Sequence, residues 1–258
     1  MKTSLLASTT LWRREIVRFY RQPNRVIGAV GTPLLFWFML GSGVGRSFQS
    51  SGNQGYSLYV LPGMVVLVLL FTAIFSTISI IEDRKEGFLQ SVLVAPVARP
   101  VVVFGKVIGG ASLAILQAVI LIALAPLAGA VLRPWALPEL LALLIVLGLG
   151  LTSLGFFIAW RMQSIQGFHA VMNLFLLPLW VLSGALFPAQ GAASWLRVLI
   201  ALNPLSYGLA AVRRLLIADP GPGLPSLALG WVVSLVFSFV AFSAASWVAR
   251  GHTRGDLL

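Results

Sequence analysis

Five consecutive charged residues, Glu82, Asp83, Arg84, Lys85 and Glu86, interrupt a chain in which charge is otherwise scarce. They hold three of its seven acids. Alternating charge at a helix start serves either as a solvated, salt-bridged end or as a surface complementary to a partner. A loop that only held topology would favour bases, because acids contribute little to orientation, and this weighs against a merely solvated end. Gly87 follows, then Phe88, Leu89, Val92 and Leu93 at the spacing of one helical face, before Ala95-Pro96 stops it. The pattern predicts a short cytoplasmic amphipathic helix over about 82–95, lying crosswise to the rest.

Other chemistry is thinly represented. A phosphate-binding G-x-x-x-x-G-K-[ST] run is missing: Lys106 follows Gly105, but Val107 comes next. Any nucleotide must therefore be bound by another polypeptide, and no cofactor is expected in this chain. His169 and His252 are the only histidines and neither has a ligand set nearby, so no metal is expected. His169 instead marks the end of an apolar run. G-x-S-x-G does not occur, and the lack of cysteine removes disulfides and thiolate sites. No catalytic residue is proposed.

The elements that must position the charge cluster are membrane-spanning. With 59% hydrophobic and 10% charged residues and a mean hydropathy of +0.96, the chain lies far from a soluble composition. Crossing about 30 Å of hydrocarbon takes about 20 apolar residues. Six uncharged runs qualify: 26–44, 57–81, 107–127, 140–160, 168–187 and 226–249. A seventh, 198–212, is too short and is broken by Asn203-Pro204, which predicts a re-entrant or interfacial helical pair. With the N-terminus cytoplasmic, the outside carries only Arg46, Arg133, Arg197, Arg213 and Arg214 of the eighteen lysines and arginines. That balance favours both termini inside. The net charge of +11 thus reads as a topology signal, with no nucleic acid as partner. Residues 1–25 form no signal peptide, since bases continue through Arg25 ahead of the first span. Leu5, Trp12, Ile16 and Phe19 share one helical face opposite Arg14, Arg18, Arg21 and Arg25. This helix is either a basic anchor on anionic lipid or a docking element.

Mid-span positions carry no charge, which disfavours an ion-coupled secondary carrier. Thr72, Ser76 and Thr77 in the second run and Asn173 and Ser183 in the fifth either line a path between protomers or pack helices. Phe71, Phe75, Phe175 and Trp180 would make that path aromatic and suit lipophilic or amphipathic cargo. Gly148, Gly150 and Gly155 suit close helix approach.

"EDRKEGFLQSVLVAPVAR" followed by Gly105-Lys106 resembles the cytoplasmic motif of ABC-2 type permeases. "ALFPAQGAASWLRVLIALNPLSYGLAAVRRL" resembles the family's second hallmark, through Phe187-Pro188, Trp195-Leu196, Asn203-Pro204-Leu205, Tyr207 and Arg213. Phe88 and Gln90 depart from it, where threonine and an acid are common. The resemblance implies an all-α integral membrane protein of the ABC-2, type V exporter kind. It would have an N-terminal interfacial helix (1–25), a six-span domain (26–249) with a coupling helix and external re-entrant helices (about 189–217), and a cytoplasmic tail (250–258). It further implies that Glu82, Asp83, Arg84, Lys85, Glu86, Gly87, Phe88 and Leu89 couple to an ATPase subunit, present in two copies and holding ATP and magnesium. Asn203, Pro204 and Tyr207 would belong to an external gate or a static plug. Two permease protomers, most simply a homodimer joined through the first and fifth spans, would sit in a bacterial or archaeal cytoplasmic membrane. The implied activity is export of a drug, lipid or lipid-linked glycan. An ATP-independent channel or carrier is the alternative, and a membrane-embedded enzyme lacks a catalytic constellation.

Overall fold

The computed structural model describes residues 2–21, 23–43, 55–94, 97–221 and 223–251, and these are helical almost throughout. The helices are α1 (Lys2–Tyr20), α2 (Pro23–Gly43), α3 (Tyr56–Ser76), α4 (Ile78–Lys85), α5 (Phe88–Val94), α6 (Arg99–Ala123), α7 (Leu137–Arg161), α8 (Ile165–Trp180), α9 (Ser194–Leu202), α10 (Pro204–Leu216) and α11 (Leu227–Val248). Five stretches are long and apolar enough to cross a membrane: Tyr56–Lys85, Arg99–Leu127, Pro134–Arg161, Ile165–Ala185 and Leu227–Val248. These correspond to the second to sixth expected spans. The first, 26–44, falls on α2, where the apolar helix found among the described residues is Pro33–Gly43, and Val44 lies outside the described residues.

Helix α3 is the axis of the bundle. Its apolar window is 83% buried, against 22% for Ile165–Ala185 and 17% for α11. It packs against α2, α6 and α7, and α7 in turn packs against α6, α10 and α11. Small residues make these approaches possible where lipid offers no hydrophobic drive for helix association. Gly150 faces Ser238 and Phe237 of α11, and Gly155 faces Ile74 and Thr77 of α3 and its C-cap.

Two local breaks set the geometry of the ends. The expected single helix over 82–95 is two helices: the charges ride on α4, the continuation of α3, and the apolar residues begin α5. Gly87, at φ +73°, makes the corner between them, a backbone state that glycine enters without the Cβ penalty. Near the other end, α8 runs into a π-helical turn over Val181–Ala185, with Gly184 at φ +84°. Beyond it, α9 and α10 meet at 83° across Asn203. Asn203 caps α10 by accepting the Leu205 amide, and Pro204 supplies the first helical residue.

Candidate functional site: a charged elbow, a cavity and an unwound helix end

Helix α1 lies along α6, and the reason is a pair of glycines one turn apart. A Cβ on Gly105 would meet Leu11 Cβ and Ser8 O at 3.0 Å, and one on Gly109 would meet Glu15 Cβ at 2.8 Å. Trp12 Nε1 donates to Ser112 Oγ at 3.2 Å along the same seam. This approach delivers Glu15, 5% exposed, to Lys106. Lys106 Nζ donates to Glu15 Oε1 at 2.8 Å and to Asp83 Oδ2 at 2.5 Å. Asp83 is fully buried. It also receives a two-pronged bond from Arg14, at 2.9 Å (Nη1 to Oδ2) and 2.7 Å (Nη2 to Oδ1), and a third cation, Arg18 Nη1, at 2.8 Å. Burial alone would weaken Arg14's hold on its proton, but the bond to Asp83 and the nearby carboxylates raise it above the ordinary guanidinium value.

The remaining elbow residues divide by exposure. Glu82 pairs with Arg18 at 3.0 Å. Arg84 donates to the carbonyls of Trp160 and Met162 at 2.7 and 3.0 Å, tying α4 to the end of α7. Leu89 is buried in the apolar core, and Phe88 lies under the guanidinium of Arg14, with Cζ 3.7 Å from the ring centroid. Lys85, Glu86, Gln90, Ser91 and Val94 face outward. The arrangement can transmit force, because buried ion pairs fix α4 while an exposed edge remains available to a partner.

The basic face of α1 therefore turns partly inward, and Leu5 and Trp12 of its apolar face turn outward, at 65% and 40% exposure. Arg25 lies outside the residues whose side chains are described. Spacing did not reveal that α1 and α4 share one charge network. The available signals were Glu15, the only acid in the first eighty residues, and Lys106, the only charge in α6 beyond its first residue.

A cavity of about 500 Å³ opens beside this elbow, between α2, α3 and α8. Phe36, Phe71, Phe75 and Trp180 wall it, Thr72 and Ser76 supply hydroxyls, and Phe19, Glu82 and His169 also line it. Of the polar residues expected along a path, Thr72 and Ser76 are brought together here. Asn173 is exposed elsewhere on α8, and Ser183 is buried in the π turn, donating to Trp180 O at 2.6 Å. Thr72 is also tied inward, its hydroxyl donating to Gln117 Oε1 of α6 at 2.5 Å.

At the opposite end, side chains bond to carbonyls of the π turn, of the ends of α8 and α9, and of Tyr59 on α3. Arg213, 4% exposed, donates to Gly184 O at 3.1 Å and Tyr59 O at 3.3 Å, and its Cζ lies 4.1 Å from the Tyr59 ring centroid. Tyr59 Oη donates to Gly184 O at 3.2 Å, and Asn203 Nδ2 to Leu179 O at 2.7 Å. Tyr207 Oη donates back to Ala201 O at 2.9 Å, closing the corner from within. Asn203, Pro204 and Tyr207 thus meet at one corner, which Asn203 ties to α8, while Arg213 ties α10 to the π turn and to α3.

Long apolar helices enclosing a buried ion network and an apolar cavity define a multi-pass membrane protein. The chain belongs to the ABC-2 type transporter family, whose model matches residues 7–217. It is similar to a transport permease designated ycf38 of Cyanophora paradoxa, with 28% identity over 80% of this chain and 72% of that one. Nodulation protein J of Neorhizobium galegae is 26% identical over 87% of this chain and 86% of its own length. A multidrug ABC transporter permease designated YbhR of Escherichia coli K12 is 23% identical over 65% of this chain, which covers 46% of YbhR.

Proposed function

We propose that this chain is the permease subunit of an ATP-binding cassette exporter, carrying lipophilic or amphipathic cargo outward across the cytoplasmic membrane. ATP and magnesium are held by a separate ATPase subunit. The observation that carries this reading is the elbow: a charged, outward-facing edge on a helix corner whose inner side is locked by the buried Asp83 network. Two ATPase subunits drawing together beneath two permeases would push on α5, and the rigid α4 would carry the displacement into α3, which lines the cavity. The cavity's aromatic wall and few hydroxyls suit an apolar cargo, drug or lipid tail alike. Exposed apolar residues on α2 (Leu35, Phe38, Met39) and α8 (Leu174, Phe175) support pairing with a second copy through these two helices. In this reading the α9–α10 corner caps the outer exit, and both termini lie in the cytoplasm.

The test is reconstitution. Co-expressed with the ATPase encoded nearest to it and purified through a tag on this chain, the permease is expected to bring the ATPase with it. The pair in proteoliposomes is expected to move a lipophilic dye only with ATP. Dye movement by the chain alone, unchanged by ATPase and ATP, would favour a channel or carrier instead.

A further inference from the structure

We propose that Arg14 is a positioning residue which pins the α4–α5 corner, so that the N-terminal helix sets the angle at which α5 meets the ATPase. The inference rests on the exporter reading for its purpose, but its geometry stands on its own. Helix α5 has seven residues and follows a single glycine in the left-handed region, so its direction is not dictated by continuing backbone hydrogen bonds. Side chains must fix it. Leu89 anchors one point in the core, which leaves rotation about that point free.

Arg14 removes that freedom by using two parts of one planar group. The edge of its guanidinium grips Asp83 on the α4 side of Gly87, and its face covers Phe88 on the α5 side. A fork to a carboxylate and a stack on a ring are both available to arginine at once, whereas the lysine ammonium offers neither a fork nor a flat face. The far end of the pin is also fixed. Glu15, the next residue, is bound to Lys106, and α1 is seated on Gly105 and Gly109 of α6. The pin therefore runs from α6, through α1, to both arms of the elbow.

The cysteine-free chain allows spin labels to be placed on exposed Gln90 of α5 and exposed Trp247 of α11. The permease alone is expected to give one narrow distance distribution. Arg14→Lys and Phe88→Leu are each expected to broaden it, and Phe88→Trp to keep it narrow. With ATPase present, an elbow correctly set only about a tenth of the time raises the apparent Kd for the ATPase about tenfold and leaves turnover at saturating ATPase nearly intact. A general loss of folded permease would instead lower the maximal turnover at unchanged Kd. Should Arg14→Lys fail to fold, Phe88→Leu carries the test, because it leaves every ion pair in place. Unchanged distances in both Arg14→Lys and Phe88→Leu overturn the proposal, as does lost turnover at constant Kd. If the distances respond but no ATPase binds the wild-type chain, the pin stands and the exporter reading falls.

Discussion

At the charged end of the bundle Lys106, Asp83, Glu15 and Arg14 meet ion to ion, whereas at the unwound end Arg213 directs its charge at the carbonyls of Tyr59 and Gly184. The first arrangement joins three helices through side chains that must each find a partner of opposite sign. The second joins side chains to backbone that is already neutral. Removing one ion from the first leaves a buried charge; removing the cation from the second leaves neutral carbonyls, of which Gly184 O keeps its bond from Tyr59 Oη. The contrast implies that the elbow end is built for one geometry, while the other end is built to keep irregular backbone satisfied where lipid cannot do so.

The largest expected effect that separates the two ends is Lys106→Met. It takes the 2.8 Å partner from Glu15 and one of three cations from Asp83. Breaking a buried pair by removing one member costs roughly 3–5 kcal/mol, so thermal unfolding in detergent should fall sharply. Adding Glu15→Leu should recover most of the loss, because the stranded charge goes too. A single Lys106→Met variant as stable as wild type would mean that water reaches the cluster.

At the other end Arg213→Leu should cost less, about 1–3 kcal/mol, the net worth of two hydrogen bonds, because Gly184 O keeps its bond from Tyr59 Oη. Arg213→Lys should recover part of it through a single bond. Hydrogen exchange over Val181–Ala185 should rise in the leucine variant and stay flat at α4. A rise spread evenly over both ends would erase the distinction drawn here.

Next comes the seam that carries α1. Gly109→Val places a branched side chain where even a Cβ would sit 2.8 Å from Glu15 Cβ. Overpacking of this kind costs about 1–3 kcal/mol. Its specific signature should be at the charged end alone: labels at Gln90 and Trp247 should spread apart, while exchange near Gly184 stays at the wild-type level.

Much of this was open to sequence reasoning, for physical reasons that also mark where it stopped. Long uncharged runs announce spans because backbone in lipid must be helical, and five of the six runs became long apolar helices. Uniform apolarity says nothing about which span lies inside, since lipid and protein interior are equally oily. Helices α3 and α11 have similar composition, yet one is the core and the other its rim. The charge cluster was legible as a special place from its acids. Its division into a buried Asp83 and an exposed Lys85 was not, because it depends on α1 arriving from seventy residues away. Phe88, a departure from the family pattern by its letter alone, gains a reason only beside Arg14. Among the path residues, Thr72 and Ser76 share the cavity because they sit one helical turn apart on α3, whereas the π turn rotates Ser183 away from it.

The smallest effect is the sharpest divider within the charged end itself. Glu86 is 59% exposed at its side chain and 3.4 Å from Arg18, while Glu82 is 17% exposed and 3.0 Å from the same guanidinium. Exposed pairs are worth about 0.2–1 kcal/mol in water and less in salt, so Glu86→Gln should leave thermal stability almost unchanged and Glu82→Gln should lower it measurably. Reversal to Glu86→Arg tests what the exposed edge is for. If the edge docks an ATPase, this variant should keep wild-type unfolding behaviour and lose the co-purifying subunit, because like charges would now face each other across the contact. Stability and association lost together would place Glu86 inside the permease's own network, and the comparison between a buried lock and a free edge would have to move outward along α5, toward Gln90 and Val94.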